Sequence, residues 1–149
     1  MAVFIVGLLI GGATAIPLEW GANMANNFVG NGTRMEKIWP EFADWISLAH
    51  QGIREMYGKY PFLTYGNDWL AFGHFMIAIA FVGVFKSPAR NRWVVDFGLI
   101  ACVLVIPYAM IFGAIRGIPL FWRVIDSLFG VIGFIPLWII RAKIKRLSP

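Results

Sequence analysis

Four long apolar stretches dominate the chain, and polar or charged segments separate them. The stretches cover residues 2–18, 67–85, 93–115 and 120–140. A bilayer core about 30 Å thick needs about 20 helical residues, and about 17 are tolerated. The pattern therefore predicts an all-α integral membrane protein in which four transmembrane helices form one bundle. A chain of 149 residues has room for this single membrane domain and no second one.

The first stretch has a second interpretation, that of a cleaved signal peptide. Ala13, Thr14 and Ala15 match the small-residue pattern of a cleavage site. A signal peptide normally begins with a basic region, but here the α-amino group carries the only positive charge before Glu19. These observations favour a retained helix over residues 2–18 and leave cleavage after about residue 15 as the alternative.

Residues 19–66 form the one long polar segment, and its two halves differ in pattern. Residues 21–33 are rich in Asn and Gly, which is typical of a loop. Residues 40–57 place apolar side chains three and four positions apart, which predicts an amphipathic helix with Pro40 in its first turn. The charges inside this helix make a membrane crossing too costly. We therefore expect it to lie on the extracytoplasmic membrane surface or to cap the bundle on that side.

Composition and charge support a membrane location and set an orientation. Hydrophobic residues make up 59% of the chain and charged residues only 14%, against about 25% charged in soluble domains. Seven of the thirteen Lys and Arg residues lie within 86–92 and 141–146, directly beside apolar stretches. That arrangement indicates cytoplasmic anchoring rather than nucleic-acid binding. The positive-inside rule then places both termini in the cytoplasm of a multi-pass protein.

Four ionisable residues lie inside the predicted spans, where each charge costs about 2.5–3.5 kcal/mol at the helix centre and so calls for an explanation. They are His74, Asp96, Arg123 and Asp126. Asp96 lies near the inner face, where it can form an ion pair with Arg92 or Lys86 and pin the connecting turn. Arg123 and Asp126 are three residues apart on one helix face and can pair.

The predicted topology brings further polar residues to the depth of His74 and Asp126, in the outer half of the bundle. The resulting candidate pocket comprises His50, Glu55, Asp68, His74, Arg116, Arg123 and Asp126. One interpretation is a buried polar network that fixes helix register. The other is an outward-facing pocket. In this pocket His74 would titrate near neutral pH, Arg116 or Arg123 would bind an anionic group, and Asp126 would orient the histidine or the arginine.

Most cofactor and catalytic signatures are absent from the sequence. No spacing of His, Glu and Cys suggests zinc, and no phosphate-binding loop, nucleophile elbow or Cys–His pair occurs. The single cysteine, Cys102, lies in an apolar run. We therefore expect no cofactor and no metal. His50 and His74 could ligate a b-type haem from two helices, which is a minor alternative.

Two segments carry a resemblance to known sequences. Residues 60–74, YPFLTYGNDWLAFGH, and 115–126, IRGIPLFWRVID, resemble segments of uncharacterised small bacterial multi-span membrane proteins. The resemblance covers the chain from about residue 40 to its end. It implies a bacterial inner (plasma) membrane and no particular activity, cofactor or partner.

Two functional hypotheses follow from these patterns, and the sequence leaves open whether the chain is an enzyme. The first is a non-catalytic subunit or accessory protein of an inner-membrane assembly. Small residues such as Gly7 and Gly11 support it, because they let helices pack within the chain, against a membrane-protein partner or in a homo-oligomer. The second is a binding protein, transport component or enzyme that uses the outer polar pocket for a small ligand or a proton.

Overall fold

The computed structural model describes residues 2–147, with side chains as far as Lys145, and this part of the chain contains no strand. The helices are α1 (Ala2–Ala15), α2 (Leu18–Val29), α3 (Arg34–Ile38), α4 (Pro40–Lys59), α5 (Tyr65–Lys86), α6 (Arg92–Ile115) and α7 (Leu120–Leu147), with a 3-10 turn at Pro61–Thr64. Helix accounts for 88% of the structure. The predicted all-α class is confirmed.

Three helical segments are long and apolar enough to cross a membrane, and they match the last three predicted spans. They are Pro61–Lys86, Arg92–Ile115 and Leu120–Lys145, with 26, 24 and 26 residues. At about 1.5 Å per residue the shortest is about 36 Å long, more than the hydrocarbon core of a bilayer. In the most apolar 18 residues of each segment, only 22%, 22% and 17% are buried within the chain, so most of these apolar residues are at least partly exposed.

The predicted first span is not one continuous helix over residues 2–18. Helix α1 ends at Ala15, and α2 begins at Leu18 after a bend of 93°. Pro17 explains the break, because proline has no backbone N–H to continue the helical hydrogen bonds. With 14 residues, α1 is about 21 Å long and too short for a full crossing by itself. The chain has a fourth candidate span only if the bent pair α1 and α2 is taken together.

The loop predicted over residues 21–33 is also wrong for most of its length, since α2 is helical as far as Val29. Two asparagines of α2 bond to side chains of α4. Asn26 accepts a hydrogen bond from the Ser47 hydroxyl at 2.8 Å, and the Asn23 side-chain oxygen lies 2.6 Å from His50 Nε2. These bonds offset the poor helix propensity of asparagine. The amphipathic helix predicted over residues 40–57 is confirmed as α4, which has Pro40 in its first turn.

The chain divides into two compact units. Residues 9–75 form one unit, which we call the α2–α4 unit. The described residues 2–8 and 76–147 form the other, which we call the α6–α7 unit. Within the α2–α4 unit, Ala43 and Ile46 of α4 are buried. In the same unit α1 approaches α5 closely, since a Cβ added at Gly12 would lie 2.7 Å from the Phe75 ring.

The core of the α6–α7 unit lies between the second half of α5 and the antiparallel pair α6 and α7. Its largest fully buried side chains are Phe81, Val84, Val95 and Leu137. Helices α6 and α7 approach closely at Gly130, where an added Cβ would overlap the carbonyl oxygen of Cys102. Without a hydrophobic driving force in lipid, such close packing is what associates membrane helices.

Candidate functional site

Asp96 binds two arginines at the end of the α6–α7 unit where α6 begins and α7 ends. Arg92 Nε lies 3.8 Å from Asp96 Oδ2, one turn away on α6. Arg141 of α7 donates from Nε to Asp96 Oδ1 and forms a second ion pair. The described ion pairs of Asp96 therefore involve Arg92 and Arg141 but not Lys86. The sequence alone did not indicate Arg141, because that pair joins positions 45 residues apart.

Arg123 uses its guanidinium group to join α7 to α6 at the other end of this helix pair. Its Nη1 donates to the Met110 carbonyl at 3.2 Å, and its aliphatic chain lies against Gly113. The Nε atom is buried without a hydrogen-bond partner among the described residues. None of the described ion pairs joins Arg123 to Asp126, so the expected pair is not formed in this structure. Asp126 is half-buried.

His74 hydrogen-bonds within its own helix. Its Nδ1 lies 2.8 Å from the Leu70 carbonyl oxygen, one turn earlier on α5. Because a carbonyl oxygen only accepts hydrogen bonds, Nδ1 carries a proton and donates it. The other edge of the ring faces α1, where a Cβ added at Gly11 would lie 3.3 Å from Cδ2. An alanine at position 11 would therefore require this half-buried ring to shift by a few tenths of an ångström.

A shallow surface cavity of about 350 Å³ lies along α4. Its lining residues are His50, Gln51, Arg54 and Glu55. Gln51 donates to Glu55 at 3.0 Å, and Lys59 lies 3.9 Å from the same carboxylate. His50 is held by Asn23. Contacts within the unit therefore position both of the predicted pocket residues on α4.

The seven residues of the predicted polar pocket fall into both units. His50, Glu55, Asp68 and His74 belong to the α2–α4 unit, whereas Arg116, Arg123 and Asp126 belong to the α6–α7 unit. Asp68 and Arg116 are exposed. The association of all seven stays a prediction, and so does haem ligation by His50 and His74. Among the described residues, no group of three or more His, Cys, Asp and Glu could hold a metal ion.

A groove between α6 and α7, which sequence reasoning missed, is the larger cavity at about 530 Å³. Its apolar lining consists of Leu99, Ile100, Val103, Leu104, Phe134 and Trp138, and it also includes Asp96 and Arg141. The rings of Phe134 and Trp138 stack with their centroids 5.6 Å apart. The volume lies within the range of small-ligand sites, about 300–1,000 Å³. The apolar residues of α6 form one continuous run in the sequence, so their pattern does not show which of them line a groove and which lie on an open apolar surface.

The described side chains offer two chemical possibilities. Arg92 and Arg141, which pair with Asp96, present guanidinium donors beside an apolar groove. The α4 cavity presents a mixture of polar and charged groups at the surface. No protein-family model, curated protein or solved structure matches the chain.

Proposed function

We propose that the chain is a non-catalytic integral membrane subunit or accessory protein of a bacterial inner-membrane assembly. The hydrogen bonds of the ionisable residues within the predicted spans support this proposal, because they join helices or stay within one helix. Asp96 joins α6 to α7 through Arg141, Arg123 joins the same helices through a backbone carbonyl, and His74 bonds within α5. Contacts of this kind fix helix positions, which is a structural rather than a catalytic use of ionisable groups.

The exposed surface of α5 supports an assembly role. Gly66, Gly73 and Ala80 recur every seven residues and so fall on one face of the helix. A Cβ added at Gly66 or Gly73 would meet no other described atom within 4 Å. Small residues at such positions allow a second helix to approach closely in lipid. We propose that this face of α5 packs against a helix of a partner or of a second copy.

The same proposal includes an orientation. The cations of residues 86–92 and 141–146 flank the last three candidate spans, and the positive-inside rule assigns them to the cytoplasm. Counting α1 and α2 as one crossing, both termini are cytoplasmic and α4 lies on the extracytoplasmic surface. Exposed apolar side chains on α4 and on the segment that follows it, such as Leu48 and Phe62, fit a position at the membrane surface.

Single-cysteine labelling tests this orientation. Asp44→Cys places a thiol on an exposed position of α4, and Lys145→Cys places one near the end of α7. We expect a membrane-impermeant maleimide to label the first variant in intact spheroplasts and the second only after the membrane is opened. The wild-type chain gives the background, because its only thiol, Cys102, is buried. Labelling of both variants from one side would contradict the proposed topology.

Substituting Gly73→Leu tests the assembly role of α5. An added Cβ at this position meets no described atom within 4 Å, but the larger side chain would keep a partner helix at a distance. We therefore expect the dissociation constant of the complex to rise about tenfold, which corresponds to about 1.4 kcal/mol. The measurement is the mass of the complex purified in mild detergent, with and without chemical crosslinking before extraction.

Gly52→Leu is the matched control, because Gly52 lies in the middle of α4 and an added Cβ there also meets no described atom within 4 Å. We expect this variant to purify like the wild-type chain. If the wild-type chain is recovered as a monomer without a crosslinked partner, the assembly role is wrong.

Asp126 supports a second candidate function, that of a binding protein, transport component or enzyme with an outer polar pocket. Of the four charged or histidine residues predicted within the spans, it alone has no hydrogen bond or ion pair to the described residues, which leaves its carboxyl group available to a ligand or a proton. If the chain has a pocket that responds to a small ligand or a proton, Asp126→Asn should abolish the response to that ligand or proton, and Gly73→Leu should leave it intact.

A further inference from the structure

The groove between α6 and α7 is apolar along most of its length and ionic at one end. Asp96, the groove residue nearest the start of α6, and Leu104, the one nearest its middle, are eight positions apart, which gives a length of about 12 Å. Val103 and Leu104 are more than half exposed. The stacked Phe134 and Trp138 rings form the α7 wall. A flexible hydrocarbon chain suits a groove of this shape.

The ionic end of the groove carries more positive than negative charge. Arg141 lines the groove and Arg92 lies beside it, and both bind Asp96, so two guanidinium groups share one carboxylate. The arginine side chains remain 45% and 35% exposed, which leaves donors available to a further oxygen ligand. Guanidinium groups bind phosphate oxygens through well-directed, charge-assisted hydrogen bonds.

Other cations lie at the same end of the helices. Lys86 ends α5, Arg90 lies in the following turn, and Lys143 and Lys145 lie in the last turns of α7. With 28 residues, α7 is about 42 Å long, so these last turns extend beyond a hydrocarbon core of about 30 Å. The ionic end of the groove therefore falls at the depth of lipid headgroups.

We propose that this groove is a binding site for one anionic phospholipid. The phosphate group binds between Arg92 and Arg141, and an acyl chain lies along Val103 and Leu104 against the Trp138 ring. Basic sites between transmembrane helices near a membrane face are known to bind anionic headgroups. An apolar helix of a partner protein would fill the groove but leave the second guanidinium charge without a counterion. This proposal stands whether or not the chain belongs to a larger assembly.

Native mass spectrometry of the full chain in non-ionic detergent tests the site. The protein is equilibrated with equal amounts of phosphatidylglycerol and phosphatidylcholine, and the retained lipids are counted. We expect one phosphatidylglycerol molecule to be retained in preference. Arg141→Gln should reduce its retention about fivefold, the usual contribution of one basic residue near a membrane surface. Asp96 keeps Arg92 as a partner in this variant.

The matched control is Arg90→Gln, which removes the same charge from the same end but from a residue that does not line the groove. We expect it to retain the lipid like the wild-type chain. Equal loss in Arg90→Gln and Arg141→Gln would indicate general charge attraction and overturn the proposal. Equal retention of the two lipids would overturn it as well.

Leu104→Trp tests the acyl-chain part and leaves the arginines unchanged. The exposed Leu104 side chain lines the groove, so a larger ring should fill it and reduce phosphatidylglycerol retention at least fivefold. Ile132→Trp, on an exposed α7 position outside the groove, should have no effect. Release of the lipid by inorganic phosphate would identify a site for soluble anions instead. A change in the mass of a protein complex, with lipid retention unchanged, would identify a protein in the groove, and both results would overturn the proposal.

Discussion

Replacing Gly130 by alanine is expected to destabilise the α6–α7 unit by about 1–3 kcal/mol, the usual cost of overpacking a tight interior. The added Cβ would overlap the Cys102 carbonyl oxygen and lie 2.5 Å from Val105 Cγ1. A valine side chain can rotate away, but the backbone of α6 cannot, so the two helices must separate. Their separation costs dispersion contacts along the whole interface, and dispersion is what holds membrane helices together.

Unfolding in mixed micelles, with the fraction of denaturing detergent increased stepwise and helicity followed by circular dichroism, measures the effect. The control is Gly52→Ala in α4, where an added Cβ meets no described atom within 4 Å. Alanine favours a helix over glycine by up to about 1 kcal/mol, so this variant should be as stable as the wild-type chain or more stable. Equal stability of Gly130→Ala and the wild-type chain would show that α6 and α7 do not approach at Gly130.

The helices that the sequence predicted well are those with a long, uniform pattern. Structure and pattern agree for α5, α6 and α7 because runs of about 20 apolar residues have few alternatives to a helix. Helix α4 was predictable from its apolar stripe and from Pro40, whose missing N–H is not needed in a first helical turn.

Helix α2 shows why local propensity was insufficient. Asparagines at positions 23, 26 and 27 favour turns in isolation, and the segment was therefore predicted as a loop. Two of them bond to Ser47 and His50, more than twenty residues along the chain. These contacts depend on the position of α4 relative to α2, which cannot be predicted from the sequence of residues 21–33 alone.

The candidate site was predictable only as far as position along the predicted spans determines it. Depth placed Asp96 near one face together with Arg92, one turn away. It could not show that Arg141 reaches the same carboxylate, because that requires the register of α6 against α7. The spacing of three residues suggested that Arg123 would pair with Asp126, whereas its guanidinium donates to the Met110 carbonyl. The α6–α7 groove depends on the same register and so was missed.

Phe81→Ala is the second substitution with a large expected effect. Phe81 is fully buried, and its ring centroid lies 4.7 Å from that of Phe4. Soluble proteins lose about 3–5 kcal/mol when a core phenylalanine becomes alanine, as the sum of a transfer term and a cavity term. For a helix in lipid, as proposed for α5, the transfer term is small, because lipid is as apolar as the core. We therefore expect a loss of about 2 kcal/mol, which comes from the cavity and its missing contacts.

Phe85→Ala is the matched control, because Phe85 lies one turn further along α5 and is 61% exposed. We expect this change to be worth less than about 0.5 kcal/mol, since it leaves no cavity. The same mixed-micelle unfolding compares the two variants. If both alanine variants are equally stable, the second half of α5 does not pack as the core of this unit.

A double-mutant cycle between Phe81 and Gly98 shows whether the lost stability comes from the contact of α5 with α6. An alanine Cβ at position 98 would lie 2.7 Å from Phe81 Cζ and 2.8 Å from Leu137 Cδ1, so Gly98→Ala alone should destabilise the unit. Once Phe81 is alanine, one of these two clashes is gone and the new methyl group partly fills the cavity. The two substitutions should therefore be less damaging together than their sum, by about 1 kcal/mol, within the range for residues in contact. Simple additivity would mean that the ring and the glycine do not share space, and the destabilisation by Phe81→Ala would then arise elsewhere.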